Sequence, residues 1–254
     1  MADNGDFGVE GIRYFDKFRA ANDWAKKTVD LTYTYNITNG VVDVLKDAGY
    51  PNNFYWAGED AWELDLQSAD SGGLDDEMTD TVDLFFINTH GRNDDGIISL
   101  AYNSKNDDWL ANSKDWRLGD IDAEWIAIYG CDTIKRDDFW DPYNSIFQGL
   151  HLLLGAYDSM YDGTTTDEVG EDFADNLIDG DSVKSAWMDG VSDWYVDNHP
   201  AVISAELPET WGSDDSHLWP ATTMQRDHYH GQGFVSADIV HSQLGWLGLM
   251  WEEG

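Results

Sequence analysis

Two short apolar runs, each closed by a glycine dipeptide, constrain this chain more than any other feature. Residues 82–89 (VDLFFINT) lead into His90-Gly91, and residues 125–129 (WIAIY) lead into Gly130-Cys131. Both runs are short and rich in β-branched and aromatic residues, so each reads as a buried strand. In an open parallel sheet the two would deliver their last residues to the same carboxyl edge, where such folds place their sites. Cys131 is the only cysteine among 254 residues, which rules out an internal disulfide. A thiol and an imidazole at adjacent strand ends make a nucleophile and its base.

These residues resemble the caspase, legumain and gingipain superfamily of cysteine peptidases. That superfamily carries an apolar block followed by His-Gly, then a second apolar block followed by a small residue and Cys. Here the blocks are 85–91 and 126–131, and His90 and Cys131 stand 41 positions apart, a separation in the superfamily's range. The resemblance covers the middle third of the chain. It implies an α/β fold, a three-layer α/β/α sandwich around a mainly parallel sheet. It also implies Cys131 as nucleophile and His90 as base and later acid, with the amides of Gly91 and Cys131 as the oxyanion hole. No acidic third member, cofactor or metal is implied, and the expected partner is a protein or peptide substrate. The chemistry needs such a pair because a thiol of ordinary pKa is only a few per cent thiolate at neutral pH. Gly91 lets the backbone approach a substrate carbonyl without a Cβ in the way.

The residues that would set specificity point both ways. Arg92 and Arg136, two of only six arginines, flank the motif and would favour an acidic substrate side chain. Asp132, with Asp94 and Asp95, would favour a basic one. Cys131 is followed by Asp132-Thr133 and not by the Arg-Gly typical of caspases, so the branch stays open.

Fifty acidic residues face fourteen basic ones, for a formal net charge of −36. The acids occur in pairs along the whole chain, and 42% hydrophobic content with thirteen tryptophans can build a core, so this is not a disordered acidic tail. At about 1 M salt the Debye length falls to about 3 Å and self-repulsion is screened. The expectation is a protein of an extremely halophilic archaeon that needs high K⁺ or Na⁺ for stability. With no basic patch, nucleic acid is not an expected partner. No run approaches the ~20 apolar residues of a membrane span, and no leader pattern opens the chain, so no membrane partner and a cytoplasmic location are expected.

One domain, 1–254, is expected, with loop insertions. Strands are predicted over 7–15, 54–56, 97–102, 150–157 and 201–205. Helices are predicted from Asn39-Gly40 to a stop at Gly49, over 142–149, 166–178 and 182–197, with loop or short helix at 66–81 and a polar excursion at 105–119. His151 reads as a packed core histidine. The carboxyl-terminal part gathers His217, Asp227, His228, His230 and His241. If that segment were a strand, His228 and His230 would share a face and could share a divalent metal. Two alternatives therefore stay open: a non-catalytic binding protein on the same scaffold, and a metal-dependent hydrolase built on these histidines.

Overall fold

A computed structural model describes residues 4–21, 24–104, 109–135, 143–192, 197–207 and 224–251. Among the described residues ten strands form two sheets. The main sheet contains β1 (Phe7–Gly11), β2 (Asn52–Ala57), β3 (Leu84–Asn88), β7 (Trp125–Tyr129), β8 (Leu152–Ala156), β9 (Pro200–Glu206) and β10 (Trp246–Trp251), in the order β10-β9-β8-β7-β3-β1-β2. The strands from β2 to β8 pair in parallel, and β9 pairs antiparallel with both of its neighbours. The central strands read as continuous apolar runs because both faces are covered: β1, β3, β7 and β8 are buried at every residue.

One face carries a layer of three helices, α2 (Thr34–Asp47), α3 (Val169–Ile178) and α4 (Val183–Val191), after the short α1 (Asp16–Ala21). Phe86 on β3 meets Phe173 of α3 and Trp187 of α4, with ring centroids 6.2 and 6.4 Å apart. Residues 85 and 10 alternate onto the opposite face. There Phe85 packs against Phe54, and Glu10 meets Tyr102 and the 3₁₀ turn Glu63–Asp65. That second layer consists of 3₁₀ turns and a small antiparallel sheet, β4 (Gly91–Asp94), β5 (Ile97–Ala101) and β6 (Leu110–Asn112). The fold is thus α/β with a mainly parallel seven-stranded sheet flanked by helices, as the two apolar runs led one to expect.

Several boundaries differ from the expectation for physical reasons. The helix expected to open at Asn39-Gly40 starts at Thr34, and Gly40 lies inside it. A Cβ at Gly40 would come within 2.6 Å of the Glu171 amide nitrogen, and one at Gly170 within 1.9 Å of the Ile37 carbonyl. The two glycines permit the close crossing of α2 and α3. The strand expected over 7–15 stops at Gly11, because the chain turns toward α1 once the Ile12 amide has bonded the Asn88 carbonyl. The helix expected over 182–197 runs Val183–Val191 behind a Ser182 cap, whose Oγ accepts from the Ser185 amide; residues 193–196 lie outside the described residues. Of the helix expected over 142–149, Pro142 lies outside the described residues, Tyr143 and Asn144 are helical, and 145–149 turn through an isolated bridge at Phe147. Among the described residues no helix is long and apolar enough to cross a membrane.

Candidate functional site

Strand register brings His90 and Cys131 together. β3 pairs with β7 from Leu84↔Trp125 to Asn88↔Tyr129, so each partner lies 41 positions further along. That is the separation of His90 from Cys131, which therefore leave the sheet side by side, two residues past the ends of neighbouring parallel strands. Asn88 reinforces the junction, its Nδ2 donating to the Tyr129 carbonyl at 2.9 Å. Both glycines of the motif are required by this approach. A Cβ at Gly91 would lie 2.6 Å from the Cys131 carbonyl oxygen, and one at Gly130 2.7 Å from that of Thr89. Gly91 thus makes room for the neighbouring strand end itself, a tighter demand than the approach of a substrate.

Both side chains line a cavity of about 370 Å³. Its walls come from the loop before α2 (Val29, Asp30, Leu31, Thr32), from the two strand ends, and from Met160, Tyr161 and Asp162 after β8. The half-buried His90 ring lies against Phe15, centroids 4.7 Å apart, and its Nε2 is 2.8 Å from the Val29 carbonyl oxygen. A carbonyl can only accept, so Nε2 carries the proton and Nδ1 of the neutral ring carries the lone pair. Burial lowers the imidazole pKa, against the raising effect of the Val29 bond and of Asp162. His90 is a neutral imidazole at rest.

Asp162, which sequence reasoning did not single out, supports this arrangement. Its carboxylate accepts from the amides of Thr32, at 2.5 Å, and Tyr33, at 2.9 Å, which fixes the loop that presents the Val29 carbonyl. The thiol of Cys131 lies 3.3 Å from the Met160 amide nitrogen and 3.5 Å from the Met160 carbonyl oxygen. Burial pushes its pKa up, and the carboxylates of Asp132 and Asp158 add to this against the Met160 amide. At rest the cavity therefore holds a neutral thiol and a neutral imidazole. Alkylation of Cys131 by iodoacetamide in native protein is expected to follow a titration above the ordinary thiol range. Asp158→Asn should shift that midpoint downward and speed labelling at pH 8, and the gain should shrink in molar salt because Asp158 is exposed. An unchanged midpoint in dilute and molar salt would show that Asp158 does not act on the thiol.

The other expected site residues are dispersed. Arg92 pairs with Asp94 at 3.0 Å, lies 4.5 Å from the Trp24 ring centroid and does not line the cavity. Asp132 has a left-handed backbone (φ 52°), donates its amide to the Asp158 carbonyl and also stays off the cavity wall. Arg136 and His217 lie outside the described residues. The wall carries Asp30 and Asp162 and neither lysine nor arginine among the described residues.

Among the described residues the carboxyl-terminal histidines His228, His230 and His241 do not converge. His228 Nδ1 bonds the Gly180 carbonyl and His241 Nδ1 that of Phe147. The segment is not a strand, since His228 makes only an isolated bridge to Ser182, so the shared face expected for His228 and His230 does not form. His230 turns to Glu124 and Asp83. Burial, and after it the Glu124 charge, push Asp83 up to about 7.

Asp227 is fully buried with His151, its Oδ2 2.6 Å from His151 Nδ1. His151 is thus a core histidine in an ion pair. Burial alone would lower its pKa, but the bonds to Asp227 and Asp238 prevail and raise it to about 9. Asp227→Asn should therefore cost about 3–5 kcal/mol in denaturant unfolding, as when one member of a buried pair is removed. Asp238→Asn, at the exposed end of the same ring, should cost under about 1 kcal/mol. Equal effects would mean that the buried partner is not what holds the imidazolium.

The molecule thus belongs to the class of mainly parallel α/β proteins with a thiol and an imidazole at adjacent carboxyl strand ends. Residues 10–251 match the family described as Domain of unknown function (DUF6345), and the chain belongs to that family. No curated protein matches it. Among solved structures, the crystal structure of the Drosophila initiator caspase Dronc is similar over 74% of this chain and 72% of that chain, at 8% identity and a TM-score of 0.41.

Proposed function

We propose that this protein is a cysteine peptidase that cleaves peptide bonds through a thioester, with Cys131 as nucleophile and His90 as base. The observation that carries this reading is the shared offset of 41 positions. It sets thiol and imidazole at adjacent strand ends on one cavity, with the imidazole tautomer assigned by Val29. The Cys131 proton passes to His90 Nδ1 as sulfur bonds the scissile carbonyl carbon. The C–N bond then breaks, the amine leaves with the proton from His90, and water hydrolyses the thioester. The resemblance of the His-Gly and Gly-Cys blocks to caspase-like peptidases supports this, and it assigns the oxyanion to the amides of Gly91 and Cys131.

The cavity wall carries the carboxylates of Asp30, paired with Arg19, and Asp162, bonded to two amides, and no lysine or arginine among the described residues, which favours a basic over an acidic residue at the cleavage point. The decisive experiment incubates the protein in molar KCl with peptidyl acyloxymethyl ketones ending in Arg, Lys, Asn or Asp. A covalent adduct on Cys131, formed fastest with the basic probes, supports the reading. No adduct with any probe, while the unfolded chain is labelled by iodoacetamide, refutes it in favour of a binding protein on the same scaffold.

A further inference from the structure

The amino edge of the main sheet, opposite the thiol, gathers a second set of groups. Asp6, Asp83 and Glu124 directly precede β1, β3 and β7, and His230 reaches them from the segment after β9. Seven residues of extended chain separate Asp83 from His90, about 23 Å at 3.3 Å per residue, so the cluster is no part of the cavity around Cys131. His230 Nε2 lies 3.3 Å from Glu124 Oε1 and 3.7 Å from Asp83 Oδ1. One ligand atom from each of these three residues lies within 4.8 Å of the others, and the same holds for Asp6, Asp83 and Asp122.

Two features of the cluster point to a missing cation. Asp83 is fully buried and Glu124 is 7% exposed, yet Asp83 Oδ1 and Glu124 Oε2 have no hydrogen-bond partner. The other Asp83 oxygen is held by the amides of Gly5 at 2.6 Å and Asp6 at 2.9 Å, so the carboxylate is locked with its orphaned oxygen turned toward His230. Among the described residues no lysine or arginine pairs with Asp83 or Glu124, and one imidazole cannot balance the carboxylates around it.

We propose that Asp83, Glu124 and His230 bind one divalent transition-metal ion of the zinc class, tying the starts of β3 and β7 to the segment that carries His230. Ligand atoms around a four-coordinate ion with bonds of about 2.1 Å stand about 3.4 Å apart, and the observed 3.3 and 3.7 Å fit that spacing. The imidazole selects zinc over magnesium or calcium, which take oxygen ligands. Asp6 and Asp122 group with Asp83 and not with Glu124 or His230, and both Asp6 oxygens already accept hydrogen bonds, so the fourth position is left to water. The Trp125 ring, 5.2 Å from that of His230, walls the site. Its role is structural, because it joins segments distant in sequence.

The test uses the full chain, stripped with a chelator and returned to molar KCl with excess Mg²⁺ to occupy weak surface carboxylates. Zinc titration followed by metal analysis should give one ion per chain, with a melting temperature about 5–10 °C higher at zinc a hundredfold above its Kd. Cys131→Ala should bind the same single ion, which removes the thiol as its source. His230→Gln and Asp83→Asn should lose both binding and shift, and His228→Gln should keep them. Should those variants not fold, cobalt substitution of the native chain gives the second readout. An intense tetrahedral visible band without thiolate charge transfer supports the site, and a weak octahedral spectrum overturns it. No saturable zinc binding, or binding unchanged in both variants, overturns it as well.

Discussion

Cys131→Ala and His90→Ala are each expected to lower kcat/KM for the best basic peptide by on the order of 10³–10⁶, with the double variant no worse than Cys131→Ala alone. In the proposed reaction the two groups perform one proton transfer and one bond formation between them, so removing either leaves little for the other to do. The surroundings sharpen the expectation. Because thiol and imidazole are both neutral at rest, the proton must move during attack and no preformed ion pair supplies the thiolate. Activity should therefore depend on His90 more steeply at pH 7 than at pH 9, where a larger fraction of the thiol ionises without a base. The measurement is a pH profile of kcat/KM for wild type and His90→Ala, with circular dichroism confirming the fold of each variant. Activity retained in Cys131→Ala would remove Cys131 from the chemistry.

The parts of this molecule that were legible in the sequence are those in which local pattern and tertiary role coincide. The runs at 84–88 and 125–129 are buried on both faces, so apolar composition alone identified them. Their parallel pairing carries His90 and Cys131 along with it. Where a residue serves a contact made elsewhere in the chain, the reading went astray. Gly40 looked like the start of a helix because glycine is a poor helix former, but it is there for the backbone of α3. Strand β10 was missed although 246–251 reads WLGLMW; as a half-exposed edge strand it has no turn residues or clean alternation to announce it. Strand β5 was read at 97–102, but its hairpin partner β4 was missed despite Asp95-Gly96, both at positive φ, the strongest short signal for such a turn.

The site divides in the same way. The placement of His90 and Cys131 at neighbouring strand ends was legible because register transmits it, whereas the contacts of Val29 and Asp162 were not, since one is a backbone carbonyl and the other a carboxylate accepting from two backbone amides. A signal for the amino-edge cluster did exist. Asp6, Asp83, Glu124 and His151 each stand immediately before a buried strand, a repeated placement of a titratable residue where the chain enters the sheet. In a sequence with fifty acids that pattern is camouflaged by its surroundings.

The net charge of −36 leads to the second large effect, a melting temperature that climbs steeply with KCl or NaCl from dilute buffer to the molar range. The Debye length shrinks from about 10 Å at 0.1 M to about 3 Å at 1 M, which uncouples carboxylates that otherwise repel across the surface. Relief of about 5 kcal/mol would move the melting temperature of a chain this size by about 10–20 °C. Acid should act in the same direction by a separate route. Burial, then Asp65, hold Glu10 well above the usual carboxylate range, and burial pushes Asp75 up to about 7. An acid whose folded pKa is raised takes up a proton on folding, so stability rises as pH falls from above 7 toward about 4, the unfolded value. Below that, Asp30 and Asp238, whose pKa values are lowered in the fold, lose their ion pairs and the trend reverses. Since burial is not screened by salt, the rise on acidification should persist in molar KCl, and Glu10→Gln should flatten part of it. Its amide can still accept from the Tyr102 hydroxyl, as Glu10 Oε2 does at 2.9 Å. Thermal melts across a grid of salt and pH separate the two routes. A melting temperature indifferent to salt would mean that the acidic surface is no adaptation to brine, and the expectation of a halophilic source would fall with it.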